Sequence, residues 1–116
     1  MAIIHFAFSR LRPGVSAADK EKIIAEAQAI VAVMSVPGMK RISVGPPLDA
    51  ARTQGYDFAL TADFENIDGF NAYLPNPDHL RLMKLMKNYT DDTELDLLLG
   101  KSLLTYQIDT SRQAKL

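Results

Sequence analysis

The chain is expected to fold as one α+β domain in the ferredoxin-like order β-α-β-β-α-β. Three observations predict this. Stretches of period-two alternation begin, centre and close the chain, segments of helical spacing separate them, and proline or glycine stands where one period gives way to the next. At 116 residues there is room for a single domain, taken as residues 1–109 with a loose tail over 110–116. A hydrophobic fraction of 47% is that of a chain with a packed core.

The first strand is read over residues 3–11, with Ile4, Phe6 and Phe8 on one face and Ile3, His5, Ala7 and Ser9 on the other. "RPGVS" turns the chain, and Ser16 followed by Asp19 makes a capping-box-like helix start. Ile23, Ile24, Ala27, Ile30, Val31 and Met34 then recur at helical spacing, so one face of that helix is buried. Pro37 and Gly38 end it. "KRISVG" is a short second strand, and "PPLDAARTQG" is a loop long enough to form a rim or lid. In the third strand Tyr56, Phe58, Leu60, Ala62 and Phe64 form the core face, alternating with Asp57, Ala59, Thr61 and Asp63. Asn66 caps a short helix that Pro75 stops, and Asn76 with Pro77 opens another. The helical pattern fails near "TDDTELD", and "SLLTYQID" is the last strand. With helices on one side, such a sheet leaves its other face open; the apolar residues on both faces of strand one suit burial against a second copy.

Composition narrows the chemistry. A net charge of −1 with scattered basic residues argues against nucleic acid as partner, since neutralising phosphates takes a clustered basic face. Cysteine is absent, which removes disulfides and thiolate chemistry, and two histidines alone make a transition-metal site unattractive, so no metal is expected. The acidic run Asp91, Asp92, Glu94 and Asp96 lacks the spacing and central glycine of a calcium loop and is read as a solvated turn. The apolar start has no basic residue ahead of it and is too short to span a bilayer, so no membrane association and a cytoplasmic location are expected.

The chemistry-bearing stretch is "AYLPNPDHLRLMKLMKNY". On a helical wheel His79 shares an arc with Leu82, Met83, Met86 and Tyr89, opposite Arg81, Lys84, Lys87 and Asn88. His79 therefore faces the sheet, in a first turn whose field disfavours an imidazolium, so a neutral ring is expected near pH 7. Tyr73 ends the preceding helix, and Pro75 folds the chain back so that phenol and imidazole converge on one pocket, a donor and a base for a carbonyl substrate. Beside this stands the plainer account in which His79 is a satisfied structural residue and Tyr73 covers the core. His5, a lone strand histidine, has the same plain account.

Taken in order, "IIHFAFSRLRPGVS", "PGMKRISVG", "QGYDFALTADFEN", "AYLPNPDH" and "LLTYQID" resemble the stress-responsive A/B barrel (Dabb) family, a branch of the dimeric α+β barrel superfamily. The likeness covers about residues 1–109. It implies a ferredoxin-like protomer forming a dimeric α+β barrel through its sheets. In the cofactor-free polyketide cyclases of the family, of the olivetolic acid cyclase kind, a tyrosine and a histidine of the same segment form the acid/base pair. These match Tyr73 and His79, and a first-strand histidine matches His5. Asn76 stands where the family often has another histidine, Ala27 where the cyclases have a pocket tyrosine, and the segment around "TDDTELDLLLGK" is several residues longer.

The resulting expectation is a homodimeric, cofactor-free enzyme acting on a small hydrophobic, carbonyl-rich molecule, a polyketide cyclase by aldol-type chemistry. His79 serves as base, Tyr73 as hydrogen-bond donor and His5 as orienter. Ala7, Ser9 and Ala27 leave space, while Leu82, Met83 and Met86 line the wall. The alternative is a non-catalytic stress or ligand-binding dimer with a filled core around His79. A monooxygenase or lyase of the wider superfamily is a third reading, disfavoured by the lack of tryptophan and of a second inward histidine.

Overall fold

The computed structural model describes residues 2–90 and 103–110. Along them run β1 (Ile3–Ser9), α1 (Ala17–Val33), β2 (Met39–Gly45), a single 3-10 turn (Ala50–Arg52), β3 (Phe58–Phe64), α2 (Ile67–Tyr73), α3 (Pro77–Tyr89) and β4 (Leu103–Asp109). The strands form one antiparallel sheet in the order β2-β3-β1-β4. This is the expected β-α-β-β-α-β arrangement, with its second helical segment divided at Pro75. The acidic run from Asp91 to Asp96, and the tail beyond Thr110, lie outside the described residues.

Local chemistry sets the boundaries. Ser16 Oγ accepts from the Asp19 amide at 3.1 Å and opens α1, as the capping pattern predicts. β1 ends at Ser9 and β3 starts at Phe58, both shorter than the alternation suggests. The cause is Asp57, whose carboxylate accepts from the Leu11 amide at 2.7 Å and from Lys20 Nζ at 2.8 Å. That clasp ties the exit of β1, the start of α1 and the entry to β3, and takes the flanking residues out of the ladder.

The register fixes which side chains share a face. His5 lies opposite Ala62 and Gln107, and Ala7 opposite Leu60 and Thr105, on the face the helices cover. There Ala27, Ile30 and Val31 of α1 and Leu82 and Leu85 of α3 pack with Leu60, Ala62 and Phe64. The other face carries Ile4 beside Ile108, Phe6 beside Tyr106 and Phe8 beside Leu104. Tyr106 is 62% exposed and Leu104 49%, so the open face is apolar along β1 and β4.

One close approach positions α2. Gly38, in the turn before β2, has φ +83°, and a Cβ there would stand 3.0 Å from the Cα of Gly69 in α2. Its carbonyl accepts from the Glu65 amide at 2.8 Å. Gly38→Ala is therefore expected to cost at least about 1–2 kcal/mol, from the left-handed backbone and the clash together. Urea unfolding checks this, and an unchanged midpoint would show that the turn gives way without cost.

Candidate active site

The sequence breaks the helical segment at Leu74-Pro75-Asn76-Pro77, and the break builds the site. α2 ends at Tyr73 with Leu74 as its cap. Asn76 starts α3: its Oδ1 accepts from the Asp78 amide at 2.9 Å, and its Nδ2 donates to the Ser35 carbonyl at 3.2 Å. In an unbroken helix the Leu74 carbonyl would accept from the Asp78 amide. Here that amide is taken by the cap, and the carbonyl accepts instead from Nδ1–H of His79 at 2.7 Å. A carbonyl can only accept, so the neutral His79 ring carries its proton on Nδ1 and keeps the Nε2 lone pair free.

His5 is fixed in the opposite sense. Gln107 Nε2 lies 2.9 Å from His5 Nδ1. An amide nitrogen can only donate, so Nδ1 accepts and the ring proton sits on Nε2. Burial, and then the neighbouring His79, lower the His5 pKa from 6.5 to about 4. Tyr73 lies between the two rings, its centroid 4.2 Å from that of His79 and 5.7 Å from that of His5. Phe64 and Phe70 enclose it further, and it is 1% exposed. Burial raises its pKa from 10.0 to about 12, which keeps the phenol a proton-bearing donor.

The lowered pKa of His5 has a sign that can be checked. Between about pH 6.5 and pH 4 the unfolded chain binds a proton at this position and the folded chain does not. His5 thus contributes a stability loss as pH falls through that window, and none above it. Wild type is expected to lose more thermal stability than His5→Gln between pH 7 and pH 4; parallel curves would contradict this.

All three side chains border one cavity of about 600 Å³ between α3 and the helix-facing side of β1, β3 and β4. Ala7, Leu60, Leu82 and Met86 give it apolar walls. Of the residues expected to form a pocket, His5, Ala7, Ser9, Tyr73, His79, Leu82, Met83 and Met86 are brought together here. Two expectations are corrected. Ala27 is 0% exposed in the close-packed core and does not border the cavity, because α1 lays its apolar stripe flat on the sheet. Met83 is at the rim, 49% exposed, and Lys84 and Lys87 border the cavity rather than turning away from it. The loop of residues 46–55 lids a different hollow of about 370 Å³, beside Phe8, Ala59 and Leu104 on the open face of the sheet.

Gln107 is the functional neighbour that sequence reasoning misses. The alternation in "LLTYQID" puts it on one face of β4, but only the pairing with β1 sets it against His5. The expected lack of a second inward histidine is also corrected, since His5 and His79 share the cavity. Together the groups can hold a carbonyl compound, withdraw a proton through His79 Nε2, and supply hydrogen bonds from Tyr73 and His5 to the oxygen that gains charge. Among the described residues no cluster of histidine and carboxylate side chains is arranged to hold a metal ion.

A four-stranded antiparallel sheet with helices on one face and a histidine–tyrosine cavity beneath them defines a ferredoxin-like α+β protomer. The chain belongs to the stress-responsive A/B barrel domain family, whose model matches residues 3–95. Among solved structures it is similar to a dimeric ferredoxin-like protein from Thermobifida fusca yx, with 28% identity and a TM-score of 0.69 over 93% of this chain and 90% of that one. It is also similar to hydroxynitrile lyase from Passiflora edulis, with 22% identity and a TM-score of 0.61 over 93% and 94% of the two chains. A third similarity is to SnoaB, a cofactor-independent oxygenase from Streptomyces nogalater, at 16% identity and a TM-score of 0.56 over 97% and 94%. No curated protein matches the chain. Among the described residues no helix is long and apolar enough to cross a membrane.

Proposed function

We propose that this protein is a cofactor-independent enzyme that acts on a small hydrophobic, carbonyl-rich molecule, with ring closure of a linear polyketide by aldol chemistry as its reaction. The observation carrying this is the single cavity in which His79 keeps a free ring nitrogen beside the buried phenol of Tyr73. His79 Nε2 takes a proton alpha to one carbonyl, and Tyr73 hydrogen-bonds the enolate oxygen. The enolate carbon then bonds to a second carbonyl carbon of the same chain, and the resulting alkoxide regains the proton from His79. His5 orients the oxygen-bearing end through Nε2–H. The alternative of a non-catalytic dimer expects a filled core around His79, and a cavity of about 600 Å³ fits that poorly.

The test is the ring closure of linear β-polyketo ester probes, followed by mass spectrometry against a buffer control. Protein-dependent closure supports the proposal. A panel in which none closes faster, and none perturbs the imidazole NMR signals, contradicts it. A carbon–carbon lyase is the second reading, favoured by the second inward histidine; cyanide release from a cyanohydrin, with no ring closure, would establish it instead.

The working unit is proposed to be a homodimer joined through the open sheet face. Support comes from the apolar rows Phe6–Tyr106 and Phe8–Leu104 and from the dimeric Thermobifida fusca neighbour. Phe6→Glu puts a charge in the centre of that face and is expected to convert the dimer to a monomer in light scattering. An unchanged mass would place the interface elsewhere.

A further inference from the structure

The rim of the histidine cavity carries a charge pattern that the proposed chemistry does not use. Lys84 and Lys87 both border the cavity, and among the described residues no acidic side chain does. This is not the chain's general balance, since it has 14 acidic and 13 basic residues. Nor does either lysine form an ion pair among the described residues. The ion pairs among the described residues use Lys20, Arg41, Arg52 and Arg81. Arg81, on the same helix, is held by Asp78 at 2.8 Å and does not border the cavity.

Position along α3 gives the pattern direction. His79 is in the first turn, and Lys84 and Lys87 lie roughly 7 and 12 Å further along the axis at the helical rise per residue. Between the ends the wall is apolar, with Leu82 and Met86 from the helix facing Ala7 and Leu60 from the sheet. The cavity therefore has a polar reacting end, an apolar middle and a cationic rim.

We infer that the ligand is an amphiphilic anion, a carboxylate or similarly charged group on a hydrophobic chain, bound with its charge at Lys84 and Lys87 and its reacting carbonyl at His79 and Tyr73. This rests on the cavity being the ligand site proposed above. The lysines act by orientation: an anion held at the rim excludes the reversed pose and sets which carbonyl reaches His79. At a solvated rim the pair selects through modest, salt-sensitive attraction rather than tight binding.

Octanoate and 1-octanol, which share an apolar chain and differ in charge, are the probes, with the imidazole NMR signals of His5 and His79 as the readout of occupancy. The wild-type protein is expected to bind octanoate roughly tenfold more tightly at low salt. In the Lys84→Gln/Lys87→Gln double variant, whose exposed positions leave the fold intact, the preference is expected to fall to about twofold or less. Equal affinity for the two probes, or a preference that survives the double substitution, would overturn the inference while leaving the cavity as the ligand site. If neither probe moved either imidazole signal, the ligand-site proposal would fall, and this inference with it.

Discussion

His79→Ala is expected to reduce turnover by about 10²–10⁴-fold, the contribution of a positioned base to proton abstraction. The argument rests on the tautomer more than on the residue type. The Leu74 carbonyl binds Nδ1–H at 2.7 Å and leaves the opposite nitrogen as the acceptor, so one ring edge is occupied by structure and the other is free for chemistry. His79 is only half-buried, so its removal should leave the fold and the assembly unchanged. Rate measurements with circular dichroism and light scattering separate the two effects. Full activity in a folded variant would remove His79 from the mechanism.

Tyr73→Phe should lower the rate by about 10²–10³-fold, as loss of one preorganised donor to an oxyanion does elsewhere. The ring, packed on Phe64 at 5.3 Å between centroids, stays in place, so only the hydroxyl is lost. A pKa near 12 means that the donor remains protonated across any working pH, and the rate–pH profile should show no limb from this group. A large fall in kcat with little change in KM marks a contact made in the transition state. An unchanged rate would reduce Tyr73 to a wall residue.

Much of the fold is legible in the residues because local signals agree with one another. Ser16, Asn66 and Asn76 each accept an amide hydrogen bond at the helix starts expected of them, and Pro75 divides the second helical segment where expected. The core face of β3 follows from alternation alone. What the sequence leaves open depends on pairing across the chain. Asp57 reads as one position in an alternating strand, yet its hydrogen bonds to Leu11 and Lys20 set where two strands stop. For the site, a helical wheel places His79 on the inward arc but treats that arc as uniform. In the folded chain part of it packs on the core through Leu82, Met83 opens onto the cavity rim, and Lys84 and Lys87 reach that rim from the arc the wheel sets opposite. Ala27 marks the opposite limit: a correspondence between sequences proposes a pocket position, and the packing of α1 against the sheet decides that it is core. The sequence leaves the role of His5 open for the same reason, because Gln107 stands far away in the chain until β1 and β4 pair.

The central claim is that His5 and His79 offer the same ring nitrogen, Nε2, to one ligand cavity in opposite protonation, His5 as N–H and His79 as a free lone pair. Long-range proton–nitrogen NMR at pH 8.5, above the ordinary imidazole range, reads the tautomers directly, and a single His5→Gln variant assigns the signals. His79 is predicted to carry its proton on Nδ1 and His5 on Nε2, with both resonances moving when octanoate is added. A His79 protonated on Nε2 and indifferent to the ligand would contradict the claim, since no free base would then face the cavity.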